Sequence, residues 1–274
     1  MPAFGPLVSA AWLAEHLADE DLRIVDLRWY LDGRSGRDAH REGHIPGAVF
    51  IDLQEELTAP TGPGRHPIPG PEQFEEAMRA AGVDDAGRVV VYGDDGPYSS
   101  ARLWWLLRYY GHPAVAALDG GLAAWEGPLE KGPVTPGRGD FRVRPADRSM
   151  AVDRDYVRAA KGAVLFDARA GERYRGEVEP IDSKAGHIPG ALNIPWSANL
   201  GPDRRFLPPE QLRERYAAAR GREVIAYCGS GVSAAVDLMA MALAGIDGAR
   251  LYEGSWSDWS RQELPVATGP EPGS

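Results

Sequence analysis

The chain has 274 residues, 43% of them hydrophobic, with 30 Lys and Arg against 40 Asp and Glu. That length allows about two domains of ordinary size, and a formal charge of −10 argues against a nucleic acid or an anionic membrane surface as the main partner. No apolar run approaches the roughly 18 residues of a membrane span, the N-terminus carries acids rather than a basic leader, and a single cysteine cannot form an internal disulfide, so a cytoplasmic protein is expected.

Strand-like and helix-like segments then alternate along the chain. Ser9–Leu17 predicts a helix, Arg23–Asp26 a strand, Ala48–Ile51 a strand and Glu72–Ala81 a helix. Arg88–Tyr92 reads as a strand, Ala101–Tyr110 as a helix, Ala114–Leu118 as a strand and Leu122–Trp125 as a last helical turn. Across 126–147 Gly and Pro are frequent and apolar periodicity is lost, which predicts a linker. A second series runs from Arg154 to about Arg261. Within it Glu223–Tyr227 predicts a buried strand and Ala234–Ala244 a buried helix. The tail, Thr268–Ser274, is expected to fray. Alternation of this kind implies a mostly parallel sheet with helices on both faces.

The two series are copies of one another. His44-Ile45-Pro46-Gly47-Ala48 recurs as His187-Ile188-Pro189-Gly190-Ala191, and Asp26-Leu27-Arg28 as Asp167-Ala168-Arg169. Val90-Val91-Tyr92 matches Ile225-Ala226-Tyr227, and Asp119-Gly120-Gly121 with Trp125 matches Glu253-Gly254-Ser255 with Trp259. Four landmarks in one order indicate a duplicated domain, with boundaries expected at 6–138 and 148–268. Residues present in both copies, including Asp26, Arg28, His44 and their counterparts Asp167, Arg169 and His187, read as structural.

The copies part after the strands at Tyr92 and Tyr227. The first continues Gly93-Asp94-Asp95-Gly96-Pro97-Tyr98-Ser99-Ser100, without a thiol. The second continues Cys228-Gly229-Ser230-Gly231-Val232-Ser233, with the only cysteine in the chain. A cysteine between a strand end and a helix N-terminus meets free backbone N–H groups and the positive end of the helix dipole. Gly229 and Gly231 let the loop curl toward the sulfur. Such a thiol is expected to have a lowered pKa and to act as a nucleophile; a buried structural cysteine is the bland alternative. A cysteine-dependent phosphatase would need an arginine six positions later, and that residue is Ala234. The signature of a cysteine protease is missing as well. A sulfur carrier or redox sensor is the non-enzyme rival. No Cys/His cluster suggests a metal, and no cofactor is expected.

Taken together, the paired Asp-x-Arg and HIPGA segments, the DGG and EGS turns before Trp, and CGSGVSA resemble the tandem-domain rhodanese-like sulfurtransferases over nearly the whole chain. The resemblance implies an inactive first domain and a second whose Cys228 carries sulfur as a persulfide. That sulfur would come from a small donor and pass to cyanide or a thiol, with a thioredoxin-like reductant as a candidate partner. The loop lacks Lys and Arg, which resembles enzymes using 3-mercaptopyruvate; basic loops accompany thiosulfate, the alternative donor. By the same resemblance Ser230 pairs with His66 in catalysis, and the residue orienting His66 falls at Gln54, with Glu55 and Glu56 as substitutes. Arg173, Gly229, Gly231, Val232 and Ser233 are the expected donor-binding residues. Ile181 stands where a second clamp arginine is expected. Trp29, Tyr30 and Tyr98 are candidates either to shield a persulfide or to pack a core.

Overall fold

A computed structural model describes residues 4–94 and 96–273. Outside them lie Met1–Ala3, at the start of the segment read for a leader, Asp95 of the thiol-free loop, and Ser274 at the end of the tail. The chain forms two compact units. The first takes residues up to Ala59, Pro69–Ala146 and Pro202–Arg205; the second takes Pro60–Ile68, Asp147–Gly201 and Phe206 onward.

In the first unit five parallel strands, β1 (Leu7–Val8), β2 (Leu22–Asp26), β3 (Val49–Phe50), β4 (Arg88–Tyr92) and β5 (Val115–Leu118), lie in the order β1-β5-β4-β2-β3. In the second, β6 (Ala151–Val152), β7 (Val164–Asp167), β8 (Leu192–Asn193), β9 (Val224–Tyr227) and β10 (Arg250–Tyr252) repeat it as β6-β10-β9-β7-β8. The α/β class with two parallel sheets is therefore present as read. The middle strands β4 and β9 are nearly unbroken apolar runs because a covered parallel sheet buries both faces.

The helices are α1 (Ala10–His16), α2 (Gly36–Glu42), α3 (Pro71–Ala80), α4 (Ser100–Tyr109), α5 (Arg154–Ala159), α6 (Gly171–Tyr174), α7 (Pro209–Arg215), α8 (Ala234–Leu243) and α9 (Ser255–Trp259). Side-chain caps fix several starts: Ser9 accepts from Trp12 N–H and Ser35 from Asp38 N–H. The turn expected at Leu122–Trp125 is a 3₁₀ turn over Leu122–Ala124.

Both Asp-x-Arg segments are buried clips. Arg28 grips Asp26 with Nε and Nη2, and Nη2 also donates to Gly43 O at 2.7 Å. Arg169 does the same to Asp167 and to Gly186 O at 2.6 Å. Each clip ties the end of a sheet strand to the residue before an HIPGA histidine. Burial alone would raise Asp26, but hydrogen bonds from His40 and Arg28 outweigh it and hold the carboxyl below its ordinary value. In each HIPGA segment the Ile N–H donates to a tyrosine hydroxyl, Ile45 to Tyr92 at 3.2 Å and Ile188 to Tyr227 at 3.1 Å. His44 and His187 are fully buried. They set Nδ1 2.7 Å from the carbonyls of His40 and Tyr174. All six residues are thus buried and bonded within their own repeats.

Segment 127–147 carries no helix, as its composition predicts, yet it is strapped down. Glu130 exchanges backbone hydrogen bonds with His44, Gly139 N–H donates to Arg79 O, and Phe141 is buried against Phe74 and His112. The described part of the tail, residues 268–273, is strapped likewise rather than frayed. Gly269 N–H donates to Arg175 O at 2.9 Å and Gly190 N–H to Pro272 O at 2.7 Å. Among the described residues no helix is long and apolar enough to cross a membrane.

Candidate active site

Cys228 follows the middle strand β9 and is only 2% exposed. Gly231 N–H donates to its sulfur at 3.1 Å. Gly231 reaches that position with φ +80, which glycine adopts without the Cβ penalty other residues meet. An N–H aimed at sulfur stabilises negative charge there. The loop is also stitched to the first turn of α9. Trp256 N–H donates to Cys228 O and Ser257 N–H to Gly229 O, both at 2.9 Å. Cys228 N–H donates to Ser255 Oγ at 3.2 Å, and Ser255 Oγ donates on to Tyr252 O at 2.9 Å. Ser255 holds φ +52, an uncommon backbone conformation for a residue with a side chain.

His66 lies in Pro60–Ile68, the stretch of first-copy sequence that belongs to the second unit. Its Nδ1 is 2.7 Å from Ser230 Oγ, and both residues are buried. Arg65 N–H donates to Ser257 Oγ at 3.1 Å, which pins this stretch to α9. The carboxylates weighed as partners for His66 have roles inside the first unit. Glu55 Oε2 is 3.4 Å from Arg37, and Glu56 Oε2 accepts from Asp52 N–H at 2.6 Å. Gln54 N–H donates to Asp52 Oδ1 at 2.8 Å. Trp29 stacks on Tyr98 and the Tyr30 hydroxyl donates to Asp94 at 3.1 Å, all within the first unit.

A chain of ion pairs flanks the loop. Arg169 Nη1 reaches Glu179 at 3.3 Å, and Glu179 pairs with Arg173 Nη2 at 2.6 Å. Arg173 Nη2 also meets Asp182 Oδ2 at 3.1 Å, and Asp182 Oδ1 pairs with Arg65. Burial pushes the Asp182 carboxyl up, and the nearby Glu179 charge adds to this against the pull of Arg65 and Arg173. A Cβ on Gly229 would lie 2.8 Å from Arg65 Nη2 and 3.5 Å from Arg173 Nη1. Two guanidinium ends therefore lie beside the residue after the cysteine, and a side chain there would require the Arg65 end to shift. Arg173 is legible in the sequence; Arg65, Glu179, Asp182 and Ser255 carry no local pattern that marks them as site residues. Adjacency to His66 was the one available signal for Arg65. Ile181 is 45% exposed, with its N–H on Glu179. Val232 and Ser233 are buried at the start of α8, where Val236 N–H donates to Ser233 O.

Behind the loop, α8 carries a buried carboxyl, Asp237. Its Oδ1 accepts from Asn199 Nδ2 at 2.8 Å, and Asn199 Oδ1 accepts from the Tyr216 hydroxyl at 3.1 Å. Burial pushes Asp237 well above its ordinary value. No group of three or more His, Cys, Asp or Glu placed to hold a metal occurs among the described residues.

The Rhodanese-like domain family matches this chain twice, over residues 9–128 and 154–262. A probable 3-mercaptopyruvate sulfurtransferase of Pseudomonas aeruginosa is 47% identical, covering 96% of this chain and 98% of its own. A putative thiosulfate sulfurtransferase of Mycobacterium tuberculosis is 43% identical over 96% of this chain and 97% of its own. Among solved structures, SseA from Escherichia coli, presented as a 3-mercaptopyruvate enzyme with the rhodanese fold, aligns with a TM-score of 0.82 at 37% identity. That alignment covers 92% of this chain and 98% of SseA.

Proposed function

Because this chain belongs to the rhodanese-like sulfurtransferase family, we propose that Cys228 takes a sulfur atom from 3-mercaptopyruvate as a persulfide and passes it to a thiol or cyanide. The observation that carries the choice of donor is the charge balance around the sulfur. The loop has no cation, and Arg65, Arg169 and Arg173 are matched by Asp167, Glu179 and Asp182. A doubly charged thiosulfate costs more to bring into such a balanced, part-buried setting than a single carboxylate does.

The Cys228 thiolate, stabilised by Gly231 N–H, attacks the donor sulfur. The carbon–sulfur bond breaks, and its electron pair leaves as the enolate of pyruvate. The proton from the donor thiol returns to that carbon, with Ser230 and His66 as the pair that moves it. Arg173 holds the donor carboxylate with a planar fork. The acceptor then attacks the outer sulfur and Cys228 leaves as thiolate. The lone thiol suits a reducing compartment, so the cytoplasm is the proposed location, and a thioredoxin-like protein is a fitting reductant.

Thiosulfate is the second reading, favoured by the two guanidiniums against Gly229. Steady-state kinetics with cyanide as acceptor separate the two. The expected result is a higher kcat/KM for 3-mercaptopyruvate, and a clear preference for thiosulfate overturns the proposal. A protein that loads one sulfur but never turns over is a carrier. Arg173→Ala is expected to cost about 1.5–3 kcal/mol in kcat/KM for either anion, the scale of a lost charged hydrogen bond.

A further inference from the structure

Arg65 enters the second unit on a stretch of chain that follows β3 of the first. Its backbone is fixed on Ser257 and its Nη1 is held by Asp182. That leaves Nη2 as the edge turned toward Gly229, where an added Cβ would sit 2.8 Å away. The same Asp182, with a side chain only 2% exposed, meets Arg173 through its other oxygen. One buried carboxylate thus clasps two guanidiniums and presents both beside the reactive cysteine. The Arg65 side chain keeps 24% of its surface, so a small solute can reach it.

We propose that Arg65 is a specificity-determining contact for the anionic end of the sulfur donor, acting beside Arg173 across Gly229. The proposal rests on the sulfurtransferase reading above. An α-keto acid offers a carboxylate edge and a neighbouring keto oxygen. Two forks on one anchor can take both, whereas one fork fixes the carboxylate alone. Asp182 supplies the preorganisation: it sets the spacing of the two forks before the donor arrives. Ile181, next to Asp182 and half exposed, is a place where a replacement cation can be installed.

The test compares the parent with Arg65→Ala, Arg65→Lys and Arg65→Ala/Ile181→Arg in two assays. The first is turnover of 3-mercaptopyruvate. Arg65→Ala is expected to raise KM about tenfold or more while kcat stays within about threefold. Arg65→Lys should fall between, because it keeps the charge and loses the fork, and Ile181→Arg should restore part of the loss. The second is alkylation of Cys228 by iodoacetate and by iodoacetamide. Each forms a carbon–sulfur bond and releases iodide, but only the first is an anion. Arg65→Ala should lower the iodoacetate-to-iodoacetamide rate ratio by a similar factor. Unchanged KM and an unchanged ratio overturn the proposal. So does an equal drop in both alkylation rates, which marks Arg65 as a brace for the loop. A parent that ignores 3-mercaptopyruvate but whose alkylation ratio depends on Arg65 rejects the donor reading and upholds the anion contact.

Discussion

In the first repeat the middle strand β4 is followed by Gly93, and in the second β9 is followed by Cys228. Around these two residues the backbone is bonded in the same way. Leu122 and Ala123 donate to the carbonyls of Gly93 and Asp94, as Trp256 and Ser257 do to those of Cys228 and Gly229. The clips behind them, Asp26–Arg28 and Asp167–Arg169, are alike as well. The difference lies in what extends from this shared frame. In the first repeat Asp26 also takes His40 at 3.0 Å, and among the described residues no ion pair leads on from Arg28. In the second, Arg169 takes Glu179, and the ion pairs continue through Arg173 and Asp182 to Arg65 beside the cysteine. The same frame lies behind both copies, and in the second the ion pairs lead outward from it to the cysteine loop.

The comparison breaks first at the thiol. Cys228→Ser should abolish sulfur transfer with the fold intact, since a hydroxyl in the same place is no sulfur acceptor. A residual rate within about tenfold of the parent, or about 1.4 kcal/mol of barrier, would show that another group carries the sulfur.

A smaller loss is expected at the hydrogen-bonded pair. Ser230→Ala and His66→Ala should each lower kcat about a hundredfold, the scale of general acid–base help. The double variant should lose little more than either single, because the two side chains share one bond. Full additivity in the rate measurements would separate their roles.

Next comes the turn that supports the loop. Position 121 is glycine with φ +64, and its counterpart Ser255 holds φ +52. Ser255→Ala keeps the strained backbone and loses the hydroxyl between Cys228 N–H and Tyr252 O, so it should cost about 1–3 kcal/mol in unfolding free energy. Ser255→Gly loses the same bond but relieves the strain, as the first repeat already does, and should be milder. Denaturant melts of the two variants check the order, and Gly proving worse than Ala would sink this account.

The smallest effect is expected at Asp237, which has no ion-pair partner among the described residues to stabilise its ionised form. Its folded value is raised above the ordinary 3.8. Its contribution to stability is therefore full below that value and lost as pH rises through the folded value. Asp237→Asn removes this dependence. As pH rises above the ordinary value of 3.8, the variant's melting temperature should gain on the parent's; a gap that narrows with rising pH contradicts the assignment.

Much of this was legible in the sequence because it is local. The apolar run of Val89–Tyr92, the repeated HIPGA segments and the strand–CGSGVS–helix order each announce themselves within a few residues. Other elements were not. Helix α2, Gly36–Glu42, has no apolar face and opens on glycine, so neither periodicity nor propensity marks it. The two-residue strands Leu7–Val8 and Ala151–Val152 are too short to show alternation. The strapping of Phe141 and of Pro272 depends on partners far away in the chain, and so does the pairing of Arg65 with Asp182, 117 positions apart. The loop itself has no Lys or Arg, and Arg173 is the one cation that the sequence places beside it. The fold adds Arg65 from elsewhere in the chain, and both arginines are already matched by carboxylates.

The central claim is that the second repeat alone carries the sulfur, on Cys228. The most direct measurement is the intact mass of the protein after exposure to 3-mercaptopyruvate without an acceptor, followed by peptide mapping. One added sulfur atom per chain, found on the peptide containing Cys228 and removed by cyanide, is the predicted result. An unchanged mass, or an added sulfur that persists in Cys228→Ser, would contradict the account.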